Sequence, residues 1–139
     1  MYRIIGLDVG DKTIGVAVSD LLHLTAQGIT TIRRTNEKQD FEELAKLIEE
    51  YDPKEIVVGL PKNMNGSIGF QGEKTQEFAK KVFDKFNIEI IFEDERLTTM
   101  AAEKMLISGD VSRKNRKKII DKVAATYILQ TYLDRKGRM

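Results

Sequence analysis

Three acidic positions, far apart in the chain, are the residues best suited to do chemistry. Asp8 interrupts the apolar run 4–9, and three consecutive acids, Glu93 to Glu95, follow a later apolar segment. Asp121 lies at the start of a long helical pattern near the C-terminus. An ionised carboxylate among apolar residues needs a partner or a metal ion. Because Mg²⁺ and Mn²⁺ prefer oxygen ligands, the pattern indicates a divalent-cation site.

Such a site would suit the hydrolysis of phosphodiester bonds. Two divalent ions about 4 Å apart can activate a water molecule and stabilise the leaving oxygen, without a catalytic histidine. Each acid also has a simpler interpretation. Asp8 could cap the following turn or pair with Lys12, the acids at 93–95 could be solvated, and Asp121 could favour a helix N-terminus. The metal-site hypothesis therefore depends on whether the fold brings the three positions together.

The hydrophobic pattern predicts strands that alternate with helices. Two strands joined by a tight turn open the chain as a hairpin, and a third strand lies within 24–34 with a break near Gly28. The predicted strands are 3–9, 14–20, part of 24–34, 56–60 and 88–92, and the predicted helices are about 37–51, 72–86, 98 or 99–107 and 117–134. This alternation implies a partly parallel sheet with helices on its faces.

The predicted sheet suggests where the acids would lie. Open sheets of this kind place their sites beyond the carboxyl ends of the parallel strands. Asp8 is near the end of the first strand, and the run 93–95 follows the fifth. Asp121 shares a helical face with Ala125 and Ile128, so that face should pack on the sheet and direct the acid towards its edge. The pattern alone does not choose among the acids at 93–95.

Composition limits the class of protein. A chain of 139 residues suits one domain, expected over 1–139. The absence of cysteine excludes disulfides and thiolate zinc sites. No apolar stretch approaches a membrane span and the start lacks a signal-peptide pattern, so a cytoplasmic protein without membrane association is expected. Its oligomeric state is expected to be a monomer or a weak homodimer.

The C-terminal third is basic. Residues 106–139 carry nine Lys and Arg against three acids, although the whole chain is only +1. Five cations in the six positions 113–118 could hold phosphates in a salt-dependent way, with a solvated loop as the alternative. No aromatic residue interrupts this run, so base stacking there is not expected. The candidate nucleic-acid contacts are Lys12, Lys62, Asn63, Asn65, Arg96, Arg113, Lys114, Arg116, Lys117 and Lys118.

Four segments of the chain resemble the YqgF family in order and spacing. They are GLDVGDKTIGVAVSD at 6–20, GLPKNMNG at 59–66, DERLTT at 94–99 and DKVAA at 121–125. Bacterial members of this family are also called RuvX or pre-16S rRNA nucleases, and have been described as Holliday junction resolvases. The resemblance implies an α/β, RNase H-like fold related to RuvC, with a mixed five-stranded sheet, an antiparallel opening hairpin and helices on both faces.

The resemblance also implies a site and a substrate. The family's acidic triad falls on Asp8, Glu95 and Asp121, which would be the catalytic residues and the ligands of one or two Mg²⁺ or Mn²⁺ ions. The implied activity is a nuclease in 5′-end maturation of 16S ribosomal RNA, with precursor ribosomal RNA as the partner and branched DNA as the alternative. Asp11 and Glu93 depart from the residues common in relatives and add negative charge near the proposed metals.

Three rival functions are weighed against the nuclease. Residues 6–13 nearly spell a phosphate-binding loop, but Asp11 stands where a glycine is needed and a strand follows instead of a helix. The actin-like ATPases share a similar hairpin, but they need two lobes. A non-catalytic nucleic-acid-binding module would not need all three acids. A Holliday junction resolvase needs two sites on opposed strands, and no feature of the sequence proves a dimer.

Overall fold

The structure is a computed structural model that describes residues 1–95 and 113–137, without the side chains of 113–122. Five strands and three helices lie within these ranges. The strands are β1 (Ile4–Val9), β2 (Thr13–Ser19), β3 (Ala26–Arg33), β4 (Glu55–Leu60) and β5 (Glu89–Asp94). The helices are α1 (Glu37–Tyr51), α2 (Phe70–Phe86) and α3 (Arg113–Lys136). The helix predicted to end at 107 lies outside the described residues.

All five strands form one sheet in the order β3-β2-β1-β4-β5. β1, β2 and β3 are antiparallel neighbours, whereas β4 pairs in parallel with both β1 and β5. The predicted mixed sheet and opening hairpin are therefore confirmed. We call the side where β1, β4 and β5 end the carboxyl edge, and the side where they begin the amino edge.

Each face of the sheet packs against helices because side chains alternate along the strands. In β1, Ile5 and Leu7 join a buried cluster with residues of α1 and α2, whereas Ile4 joins a second cluster with residues of α3. Leu129 of α3 is fully buried in that second cluster. Full burial of one such side chain contributes about 1.5–3 kcal/mol. Helices on both faces are thus confirmed.

The boundaries of α1 follow directly from its sequence. Asn36 caps its start, since its side chain accepts a hydrogen bond of 2.9 Å from the backbone N–H of Gln39. Asp52 ends the helix in a left-handed conformation (φ 45°), and Pro53 prevents any extension. The predicted range 37–51 is confirmed.

Other predicted boundaries need correction. β5 continues two residues beyond 92, because β4 supplies pairing partners as far as Asp94. α3 begins at Arg113 instead of about 117, so the basic run 113–118 lies in its first turns and not in a loop. Lys and Arg are good helix formers, and this explains the earlier start. The predicted break near Gly28 is a shift of register, in which Ile29 has no partner on β2. None of the described helices could cross a membrane.

Candidate active site

Two glycines allow α3 to lie directly on the sheet. A Cβ atom on Gly6 would come within 2.8 Å of the Leu129 Cβ, and one on Gly59 within 2.4 Å of the Ile128 Cδ1. A larger residue at Gly6 would collide with the base of the Leu129 side chain, and one at Gly59 would have to displace the end of the Ile128 side chain. Glycine inside a strand often marks such close packing, and the sequence analysis missed this signal. The close contact fixes the height of α3 above β1 and β4.

α3 runs antiparallel to the parallel strands. Near its C-terminus, Tyr132 and Lys136 reach Glu55 at the start of β4. About one helical turn before Leu129, the carbonyl oxygen of Ala125 lies 3.2 Å from the position that a Cβ on Gly6 would occupy. The N-terminal half of α3 therefore continues towards the carboxyl edge.

Asp8 and Glu95 meet at the carboxyl edge, although 87 residues separate them in the sequence. Asp8 alternates with Ile4 and Gly6 in β1, so it lies on the face covered by α3. Glu95 follows β5, and its backbone N–H donates a hydrogen bond of 3.3 Å to the carbonyl oxygen of Leu60. The carboxyl groups of Asp8 and Glu95 share a hydrogen bond. Two of the three predicted acids are thus neighbours.

The environment of Glu95 is unfavourable to its own charge. The residue is 9 % exposed, and its Oε2 atom is buried without a hydrogen-bond partner among the described residues. Burial, the negative charge of Asp8, their shared hydrogen bond and the charge of Asp94 raise the pKa of Glu95 to about 9. At neutral pH one proton therefore bridges the Asp8–Glu95 pair, in the place where a cation would be stabilised.

The three consecutive acids at 93–95, which the sequence pattern does not distinguish, have different surroundings in the structure. Glu93 is buried and neutralised by Arg135, with a hydrogen bond of 2.7 Å from Nη1 to Oε1 and a second ion-pair contact of 2.7 Å between Nη2 and Oε2. Asp94 is exposed. Glu95, in contrast, is buried against Asp8. The added charge of Glu93 is thus compensated within the protein.

Asp121 can be located only through its backbone. It lies in α3, one helical turn before Ala125. Four helical residues rise about 6 Å and two strand residues about 7 Å, so the step from Ala125 to 121 matches the step from Gly6 to Asp8. The backbone at 121 therefore approaches the level of the two acids. Among the side chains that the structure describes, no three acids or histidines form a metal-binding group.

The predicted substrate contacts fall into three groups. Lys12 is exposed in the hairpin turn, and Lys62 is half-buried after β4. Asn63 and Asn65 both bond to Ser67, through Asn63 Nδ2 to Ser67 Oγ (3.0 Å) and Ser67 Oγ to Asn65 Oδ1 (2.6 Å), so they shape the loop before α2. Arg96 and the side chains of Arg113, Lys114, Arg116, Lys117 and Lys118 lie outside the described residues.

The sequence of this chain matches the model of one known protein family. The family model described as "RuvX: Holliday junction resolvase" matches residues 2–135. The chain belongs to the RuvX family. A relative from Clostridium beijerinckii, named "Putative pre-16S rRNA nuclease", is 61% identical over 132 residues, which cover 95% of this chain and 96% of the relative. A protein of the same name from Clostridium acetobutylicum is 59% identical and covers 95% of this chain and 98% of its own length.

Solved structures of low sequence identity share the fold of this RuvX protein. Thermus thermophilus RuvC, in a complex with a Holliday junction substrate, superposes with a TM-score of 0.61 at 11% identity, covering 99% of this chain and 97% of RuvC. The fowlpox virus resolvase bound to Holliday junction DNA gives 0.58 at 18% identity, covering 96% and 98%. These similarities confirm the RNase H-like fold that the sequence resemblance implies.

Proposed function

We propose that this protein is a nuclease that hydrolyses phosphodiester bonds with divalent metal ions, and that its substrate is the precursor of 16S ribosomal RNA. The observation that carries the proposal is the buried Asp8–Glu95 pair at the carboxyl edge. Its relatives' names support the substrate, and membership of the RuvX family supports the reaction class. The protein would act as a single domain in the cytoplasm, as a monomer or weak homodimer.

The residues at this edge fit a hard divalent cation. Asp8 and Glu95 offer carboxylate oxygens, and the unpartnered Oε2 of Glu95 is the buried atom that a cation would stabilise. Asp121 would complete the set from α3, and the three would hold one or two Mg²⁺ or Mn²⁺ ions. When bound, such ions supply Lewis-acid activation of water and charge neutralisation at phosphate.

The chain's own residues would prepare the site. Binding of a cation requires the proton shared by Asp8 and Glu95 to leave, so affinity for the metal should rise with pH towards the pKa of about 9. Gly59 leaves space for the Glu95 carboxyl group, and the Glu93–Arg135 ion pair fixes the end of β5 beside it. These contacts would keep the acids in position before the substrate arrives.

The substrate would be held by the surrounding cations. The basic start of α3, at 113–118, lies three to eight residues before Asp121 and would bind phosphates electrostatically. Lys12 and Lys62 would add contacts along the carboxyl edge, and Asn63 and Asn65 would present the loop backbone. Arg96, outside the described residues, would add a further phosphate contact. This arrangement predicts salt-sensitive binding with weak sequence preference.

The test is cleavage of an RNA that carries the 16S 5′ leader, in Mg²⁺ or Mn²⁺. The wild type should cleave it, whereas Asp8→Asn, Glu95→Gln and Asp121→Asn should not. Asp84→Asn, which changes an exposed acid on α2, is the matched control and should cleave normally. Equal cleavage by all variants would show that a contaminating nuclease is responsible and would overturn the proposal.

Branched DNA is the second candidate substrate, because the family description names a Holliday junction resolvase. Resolution needs two sites acting on opposed strands, and therefore a dimer. Sedimentation with and without a four-way junction, together with cleavage of that junction, distinguishes the two substrates. Junction cleavage by a stable dimer, without cleavage of the RNA, would favour the resolvase. Metal-independent binding to RNA with no cleavage would indicate a non-catalytic module.

A further inference from the structure

An exposed phenylalanine begins α2. Phe70 is 73 % exposed, more than any other aromatic residue that the structure describes. One turn later, the Lys74 Nζ lies 4.5 Å from the centre of the Phe70 ring, in a cation–π contact. The ring therefore lies on the surface with a positive charge held beside it.

Lys74 also links this ring to the carboxyl edge. Its Nζ lies 3.4 Å from Oδ1 of Asp11, in the turn between β1 and β2. Asp11 is three residues beyond Asp8. One ammonium group thus contacts both the aromatic ring and the turn that follows the proposed ligand Asp8. Phe70 therefore lies at the same carboxyl edge as the candidate site, at the start of a helix that packs on the face opposite to α3.

Two exposed apolar side chains lie in the loop that precedes Phe70. Met64 and Ile68, in the loop between β4 and α2, are 72 % and 37 % exposed. None of these side chains belongs to either buried cluster of the described core. An aromatic ring with an adjacent cation matches the chemistry by which proteins bind unpaired nucleotides, since bases stack on rings and phosphates pair with cations.

A neighbouring cleft is a poorer path for a nucleic acid. The cleft of about 450 Å³ between α1, α2 and the hairpin turn is bordered by Lys74 on one wall. Its charged lining residues are Asp11, Glu37, Asp40, Glu77, Arg34, Lys74 and Lys81. Each of the three cations already pairs with one of the acids. A phosphate entering this cleft would meet an excess of negative charge.

We propose that Phe70 and Lys74 form a stacking subsite for an unpaired base of a single-stranded RNA segment next to the cleavage position. The subsite deepens the proposed function and rests on it for the identity of the strand. The base packs on the Phe70 ring, and the adjoining phosphate pairs with Lys74. Asp11 competes for Lys74, so it weakens the subsite in the wild-type protein.

The test is binding of a fluorescein-labelled, 12-nucleotide single-stranded RNA over a range of salt concentrations, with a chelator present. Phe70→Leu should weaken binding about tenfold, with the salt dependence unchanged, and Phe70→Tyr should restore it. Lys74→Gln should weaken binding and reduce the slope of log K against log salt by about 0.7. Asp11→Asn should tighten binding, because it releases Lys74.

Matched controls separate a subsite from general surface effects. Phe83→Leu changes the other exposed phenylalanine of α2, 47 % exposed and at the far end of the helix. Lys46→Gln changes an exposed lysine that is likewise paired with an acid, Glu43. Both should bind RNA as the wild type does. If Phe70→Leu and Phe83→Leu bind equally, or if Phe70→Leu alters the salt slope, the stacking subsite is wrong.

Base stacking can also be observed directly. In RNAs that carry 2-aminopurine at successive positions, fluorescence should be quenched at one position by the wild type and by Phe70→Tyr, but not by Phe70→Leu. Failure of the nuclease proposal is recognised separately, because it shows in the cleavage activity of Asp8→Asn. A fully active Asp8→Asn with RNA binding still dependent on Phe70 would refute the metal site alone, whereas an inactive Asp8→Asn with no effect of Phe70 would refute the subsite alone.

Discussion

The amino and carboxyl edges of the sheet each bury a glutamate, in opposite surroundings. Glu55, at the start of β4, is 5 % exposed and accepts hydrogen bonds from Tyr2 (2.5 Å), Tyr132 (2.5 Å) and Lys136 (2.7 Å). Glu95, after β5, is 9 % exposed, and its Oε2 has no partner among the described residues. The same residue type, buried to a similar degree, is fully bonded at one edge and left beside a second acid at the other.

The pKa values of the two glutamates move in opposite directions. Burial favours the neutral form of Glu55, but the hydrogen bonds from Lys136, Tyr132 and Tyr2 outweigh it, so the pKa of Glu55 lies below its ordinary value. Burial opposes the charge of Lys136 as well, but Glu55 and Tyr2 raise the pKa of Lys136 overall. At Glu95 burial and Asp8 act together, and the pKa rises to about 9.

One helix serves both edges. The C-terminal turns of α3 supply Tyr132 and Lys136 to Glu55, and its N-terminal turns approach Asp8 and Glu95. The hydrogen bonds of Glu55 at the amino edge therefore stabilise the position of α3. At the carboxyl edge, Asp8 and Glu95 repel each other, and a bound cation would relieve this repulsion. Perturbed carboxyl groups of the second kind are typical of functional sites.

The largest expected effect is the loss of RNA cleavage when Asp8, at the carboxyl edge, is replaced. Asp8→Asn should reduce RNA cleavage at least about hundredfold, because it removes a proposed ligand of ions that would contribute several kcal/mol to the stabilisation of the transition state. Its thermal unfolding temperature in a chelator should hold or rise, since one of two repelling acids is neutralised. Cleavage rates and thermal unfolding measure the two effects. An Asp8→Asn protein that unfolds would instead assign Asp8 a structural role.

The next effect tests the space beneath Glu95. Gly59→Ala would place a Cβ 2.8 Å from the Glu95 Oε2 and 2.4 Å from the Ile128 Cδ1, whereas Gly6→Ala would contact Leu129 and the Ala125 carbonyl. Both should lower the free energy of unfolding by about 1–3 kcal/mol. Only Gly59→Ala should also lower cleavage, about tenfold, measured well below both melting temperatures. Equal activity of the two variants would show that Glu95 tolerates displacement.

A smaller effect is expected at the amino edge. Glu55→Gln should lower the free energy of unfolding at pH 7 by about 1–3 kcal/mol, because Lys136 loses its ion pair in a partly buried position. Since the pKa of Glu55 is lowered on folding, its contribution is present above pH 4.5 and is lost as the pH falls through the folded pKa. The variant and wild type should therefore converge in acid. Urea unfolding at pH 3.5 and pH 7 measures this, and cleavage at 25 °C should be unchanged.

The fold was predictable wherever the signals were local. The apolar spacing of α1, the Asn36 cap and Pro53 define one helix without reference to the rest of the chain. The start of α3 was not predictable from the sequence, because the apolar periodicity begins after the basic first turns of the helix. Residues 113–118 favour a helix by propensity, but this signal is weaker than periodicity.

The candidate site was predictable only in part, for a geometric reason. Asp8 is recognisable as a single acid in an apolar strand. Glu93 and Glu95 are two residues apart, so they lie on the same face and the strand pattern cannot distinguish them. Arg135 distinguishes the two glutamates, because it neutralises Glu93 and not Glu95. It lies at least 40 residues from both along the chain, so no local sequence signal reveals this pairing. Phe70 was missed because its exposure depends on where α2 begins.

The last prediction concerns the repulsion between Asp8 and Glu95 and its effect on stability. Because its pKa rises from 4.5 to about 9 on folding, the native protein keeps a proton that the unfolded chain releases, and stability should fall as pH rises through this window. Glu95→Gln carries no such proton. In a chelator it should match the wild type near pH 5 and be more stable by about 4 kcal/mol at pH 8, because each pH unit within the window changes the free energy of unfolding by about 1.4 kcal/mol. Urea unfolding at both pH values measures the difference. A difference that does not change with pH would mean that Glu95 is already ionised in the folded protein, and the two edges would then differ in hydrogen bonding but not in charge.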